Sequence, residues 1–96
     1  MTPPFSVLTT PHFDRLFRKL QKRHADLLAQ YREALTILQV DPYNRRHTYA
    51  IKKLIGVEPG EGQYRLRLGR WRFRYDIRGQ EVILHYCGLR REDTYR

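Results

Sequence analysis

The stretch YRLRLGRWRFRY, residues 64–75, packs five arginines into twelve positions and alternates them with apolar side chains. Leu66 and Leu68 share one parity, and Arg65 and Arg67 share the other. Beyond Gly69-Arg70, the residues Trp71, Phe73, Tyr75 and Ile77 point one way and Arg72, Arg74 and Asp76 the other. A period of two predicts strands, because successive side chains leave a strand on opposite faces. Arginine enters a sheet core only when paired, so one face is expected to be buried and the other to carry a dense field of guanidinium. Gly69-Arg70 supplies a two-residue turn, with glycine at the position that needs positive φ. The stretch therefore reads as a β-hairpin with an apolar face and a basic face.

A third strand is expected over residues 81–87, after a turn at Arg78-Gly79-Gln80, and Gly88 then releases the chain into a short tail, LRREDTYR. The first two strands of this meander are expected over residues 63–68 and 71–77. Upstream, VEPGEG is loop chemistry, and residues 43–62 are the least patterned part, with a short apolar segment around Leu54-Ile55. Two helical stripes precede them. Phe13, Leu16, Phe17 and Leu20 recur at i, i+3, i+4 and i+7 behind Thr10-Pro11, an N-cap followed by proline at the first helical position. Leu27, Leu28, Tyr31, Leu35 and Leu38 form the second stripe, which Asp41-Pro42 ends. The face changes around Gln21 to His24, so two antiparallel helices with a tight turn fit better than one long helix. Residues 5–9 alternate weakly and suit an edge strand. The expected fold is α+β: an N-terminal helical hairpin on one face of a small antiparallel sheet, βααβββ, in one domain over residues 1–96.

A chain of 96 residues has room for a single two-layer core. Nineteen Lys and Arg against ten Asp and Glu give a net charge of +9. The excess is spread through the fold: residues 1–63 carry ten basic and six acidic side chains, and residues 64–96 carry nine and four. Such a surface points to nucleic acid, an acidic protein or anionic lipid as partner. A single cysteine, Cys87, rules out an internal disulfide and suits a reducing cytosol. His12, His24, His47 and His85 lack paired ligand spacing, so no metal or other cofactor is expected. The chain has no apolar run of membrane-spanning length and no signal peptide, and the expectation is a soluble cytoplasmic protein without membrane contact.

Arg65, Arg67, Arg72 and Arg74 should share the open face of the hairpin. Cross-strand partners lie about 5 Å apart, so their charges repel unless an anion sits between them. A merely solvated face would mix Lys and Glu, whereas this one uses arginine, the side chain suited to bidentate phosphate recognition. The aromatic set Trp71, Phe73 and Tyr75 has the opposite parity and is expected in the core rather than as a base-stacking platform. Cys87 is expected to act as a small apolar residue.

Two motifs carry a resemblance that covers nearly the whole chain. The Y-R-x-R-x-G-x-x-R hairpin from Tyr64 to Arg72 and the closing G-x-R-x-x-D-x-Y from Gly88 to Tyr95 resemble the RelE/ParE superfamily, the toxins of bacterial type II toxin–antitoxin systems. In the RelE branch the resemblance implies an mRNA endonuclease, often acting in the ribosomal A site, that cleaves by attack of a ribose 2′-hydroxyl on the adjacent phosphate. It also implies a cognate antitoxin with an acidic or amphipathic segment. Arg65, Arg67, Arg72, Arg90 and Tyr95 match the family's catalytic positions, and Arg70, Arg74 and Arg91 are expected RNA contacts. Fixed guanidinium groups would stabilise charge developing on the phosphate oxygens. The sequence departs from the pattern in two places. Well-studied RelE-type members carry lysine where Arg65 and Arg67 stand, and many relatives carry histidine where Leu89 stands. Arginine does not give up its proton, so the general base is left open, with His85 a candidate if its strand turns it to the open face. The ParE branch, which inhibits DNA gyrase without cutting RNA, and a non-catalytic RNA- or ribosome-binding module are the alternatives.

Overall fold

A computed structural model describes residues 3–90. Strand β1 (Ser6–Thr9) leads into helix α1 (Pro11–Gln21), then α2 (Leu27–Val40). Strands β2 (Ile51–Lys53), β3 (Tyr64–Leu68), β4 (Trp71–Arg78) and β5 (Glu81–Leu89) complete the chain. The five strands form one sheet in the order β1-β5-β4-β3-β2.

The helix boundaries follow from local chemistry. Thr10 Oγ1 accepts the Phe13 amide at 3.1 Å, which caps α1 as its sequence predicts. Asp26 stands at the N-cap of α2 but gives its carboxylate elsewhere: Oδ2 accepts the Trp71 indole N–H at 2.9 Å, and both oxygens accept the Arg70 guanidinium, at 3.2 and 2.9 Å. The Arg70 fork, with the indole N–H, holds the Asp26 carboxyl well below the usual carboxylate range. At the other end, the Asp41 carboxylate accepts the amides of Arg45 and Arg46 at 2.9 and 3.2 Å, turning the chain away from the helix axis.

Both helices lie on one face of the sheet. Phe13 from α1 and Leu27, Ala34, Ile37 and Leu38 from α2 form one core with Leu66, Trp71, Phe73, Tyr75, Val82, Leu84 and Cys87. The aromatic alternation of β4 is thus fully spent on packing. Burial pushes the Cys87 thiol up to about 12, so it stays protonated and inert. Tyr75 keeps its hydroxyl satisfied by donating to the Pro42 carbonyl at 2.7 Å, and burial pushes its ionisation far above the usual value.

The sheet departs from the expected one in three ways. First, it is mixed, since β1 pairs in parallel with β5, in register Ser6↔Glu81 to Thr9↔Leu84. Second, a short strand β2 adds to the far edge, pairing Ile51↔Leu66 and Lys52↔Arg65. Its sequence, Ile-Lys-Lys, is too short and polar to signal a strand, and pairing with β3 makes it one. Leu54-Ile55 lies just outside it, and Ile55 is 98% exposed. Third, β5 continues through Gly88 to Leu89. No helix among the described residues is long and apolar enough to cross a membrane.

Candidate functional site on the open sheet face

The hairpin register builds the basic face in rows. Arg67 on β3 opposes Arg72 on β4, and Arg65 opposes Arg74. The second row extends to both neighbours, with Lys52 on β2 opposite Arg65 and Tyr86 on β5 opposite Arg74. Four of the expected arginines therefore meet on one face, and Lys52 joins them. The lysine was hidden because nothing in the local sequence marks β2 as a strand.

These side chains do not all stand at the same height. Arg67 is exposed, while Arg72 keeps only 6% of its surface. Arg72 lies between Arg67 and Gly88. A Cβ at Gly88 would overlap the hydroxyl and ring of Tyr86, so the Tyr86 side chain covers this glycine. Arg74 also has a structural task. Its Nε and Nη2 donate to the Gly62 carbonyl at 3.2 and 3.0 Å, which pins the loop that precedes β3.

The same loop is held by Asp76. Its carboxylate accepts the amides of Gly60 at 2.8 Å, Gly62 at 3.1 Å and Gln63 at 2.9 Å. Burial opposes the charge on Asp76, yet the three amides, with His85 beside them, hold its carboxyl below the usual carboxylate range. Gly60 and Gly62 have φ of +96° and +85°, a conformation that glycine adopts without strain.

His85 reaches this face through a break in the β4–β5 register. Leu84 pairs with Tyr75, but Tyr86 pairs with Arg74, which leaves His85 as an extra residue. The bulge puts His85 and Tyr86 on the open face together while Leu84 and Cys87 both remain in the core. His85 Nε2 lies 2.8 Å from Asp76 Oδ2. An ionised carboxylate only accepts, so the His85 proton sits on Nε2 and the lone pair of the neutral ring on Nδ1. His85 is three-quarters buried and lies between two cavities, one of about 390 Å³ bordered by Asp76 and Arg78 and one of about 370 Å³ bordered by His12 and Arg74.

The remaining expected site residues lie apart from this centre or beyond the described residues. Arg70 is committed to Asp26 and stacks over the Trp71 ring at 5.5 Å, which ties the hairpin turn to α2. Arg90 is exposed at the end of β5, where its amide donates to the Arg70 carbonyl at 2.8 Å. Arg91 and Tyr95 lie outside the described residues. Asp76 is the residue that sequence reasoning undervalued: its alternation was visible, but its three amide partners sit thirteen to sixteen positions away. The bulge did have a signal. The apolar parity of β5 switches from even at Val82 and Leu84 to odd at Cys87 and Leu89, which a regular strand cannot do.

No family model matches the chain, and no curated protein or solved structure matches it either.

Proposed function

We propose that this protein is a RelE-like toxin of a type II toxin–antitoxin system, an endoribonuclease that blocks translation by cutting mRNA. The observation that carries this reading is the convergence, on one sheet face, of Arg65, Arg67, Arg72 and Arg74 with a histidine oriented by a carboxylate. The arginines supply fixed positive charge for the phosphate and for the charge that grows on it during attack. His85 supplies what arginine lacks: a ring nitrogen with a lone pair that can accept a proton. Asp76 is a positioning residue, since it fixes the tautomer and the plane of the ring.

In this mechanism the 2′-hydroxyl loses its proton to His85, its oxygen attacks phosphorus, and the bond to the 5′-oxygen breaks as that oxygen takes up a proton from an acid or from solvent. The products are a 2′,3′-cyclic phosphate and a 5′-hydroxyl. No metal is required in that sequence. A cytoplasmic antitoxin bearing an acidic segment would neutralise the basic face, and mRNA held in the ribosomal A site is the intended substrate.

The test uses purified protein with mRNA, with and without ribosomes, and maps the RNA ends. Cuts are expected in at least one condition, reduced about 10²- to 10⁴-fold by His85→Gln and strongly by Arg67→Ala, with folding of both variants checked by circular dichroism. If RNA stays intact in both conditions while gyrase supercoiling is inhibited, the ribonuclease reading is wrong and a ParE-like action replaces it.

A further inference from the structure

We propose that the cavity between the start of α1 and the bulge of β5 is the reaction centre, and that His12 is its second proton-transfer group, the acid that protonates the leaving 5′-oxygen; this rests on the ribonuclease reading above. The cavity of about 370 Å³ is bordered by His12 from α1, Arg74 from β4, His85 and Tyr86 from β5, and Glu61 from the loop. Its size lies within the range of small-ligand sites. His85 from the sheet and His12 from the start of α1 both border this one space.

The division of labour follows from the neighbours of each group. His85 donates from Nε2 to Asp76, so its Nδ1 lone pair is available to take a proton. His12 is exposed at the second residue of α1 and borders the same cavity, where the leaving oxygen would need a donor. The other bordering groups are engaged elsewhere. Arg74 holds its proton permanently and is pinned to the Gly62 carbonyl. Glu61 has its Oε1 engaged in accepting the Glu58 amide at 3.3 Å. Tyr86 has its ring and hydroxyl laid over Gly88.

The step balances with these two residues alone. The proton of the 2′-hydroxyl goes to His85 Nδ1, the oxygen–phosphorus bond forms, and the phosphorus–O5′ bond breaks. His12 passes its imidazolium proton to O5′. Solvent then returns both rings to their starting states. The row Lys52–Arg65–Arg74 leads across the sheet to this cavity, so an RNA backbone lying on the basic face would deliver its phosphate there. Titratable and charged groups that share a cavity with one or both histidines are Glu61, Arg74, Asp76, Arg78 and Tyr86, and the dependence of rate on pH reports on all of them together.

Two measurements test the assignment. In the first, a ribonucleoside 3′-monophosphate is titrated into the protein while the histidine ring signals are followed by NMR. His12 and His85 are expected to shift with one common half-saturation. A shift of His85 alone overturns the role of His12, and no shift of either overturns the cavity as the site. In the second, cleavage is measured on RNA whose scissile 5′-oxygen is replaced by sulfur, a leaving group that needs no acid. His12→Ala is expected to lose about 10²- to 10⁴-fold on normal RNA and to recover most of that loss on the sulfur substrate, while His85→Ala recovers nothing. Equal loss on both substrates, or rescue of Tyr86→Phe instead, contradicts the proposal. If the wild-type protein binds the nucleotide through both rings yet cuts neither RNA, the ribonuclease reading fails while the cavity stands as a phosphate site.

Discussion

Gly88 shows how a single residue is chosen by space rather than by backbone freedom. Its φ lies outside the left-handed region, yet any side chain there would collide with Tyr86, which lies over it beside Arg72. Gly88→Ala is therefore expected to cost about 1–3 kcal/mol by overpacking, measured from the denaturation midpoint. In a Tyr86→Ala background the same change should cost far less, and an unchanged cost would show that the ring is not the obstacle. The closing motif made Gly88 visible in the sequence, but only as the end of a strand. Tyr86 shares its face by simple alternation, two residues earlier on the regular part of β5, but nothing in the sequence says that its ring folds over the glycine.

At the scale of elements, the basic face depends on a loop that has no regular structure. Residues 56–63 carry VEPGEG, which announces a loop and nothing more. Asp76 and Arg74 on β4 give that loop its shape by binding its amides and a carbonyl. The sign of the pH effect follows directly. The folded-state carboxyl of Asp76 ionises below its unfolded value of about 3.9, so its stabilising contribution is complete above that pH and disappears as pH falls through the depressed value. Hydrogen exchange should then show the amides of Gly60, Gly62 and Gln63 losing protection in acid before the core of β4 does. In Asp76→Asn they should be poorly protected even at neutral pH, and full protection in that variant would contradict the clamp. The hairpin and both helices, by contrast, were legible, because each carries its own periodicity. Strand β2 and the parallel pairing of β1 were not, since both are decided by partners distant in sequence.

For the whole molecule, the net charge of +9 signalled an anionic partner, and the fold decides where that charge acts. The helices and the apolar parity of three strands close one side of the sheet, leaving Lys52, Arg65 and Arg67 together on the other. Binding to single-stranded RNA should weaken with salt at a slope of about 0.7 per phosphate contact. Removing Arg65 and Arg67 together should lower that slope by about 1.4 if both meet phosphates. A slope unchanged in the double variant would move the binding surface elsewhere, for instance to the basic side of α1. The candidate site was half legible in the same sense: the arginines stood in the sequence, whereas the dyad of His85 and Asp76 needed the sheet to be assembled. The most direct measurement of the cleavage chemistry uses mRNA in which the one nucleotide on the 5′ side of a mapped cut carries 2′-deoxyribose. Cleavage should vanish at that position and persist at the others; a cut that survives the missing hydroxyl would contradict attack by the ribose and, with it, the role assigned to His85.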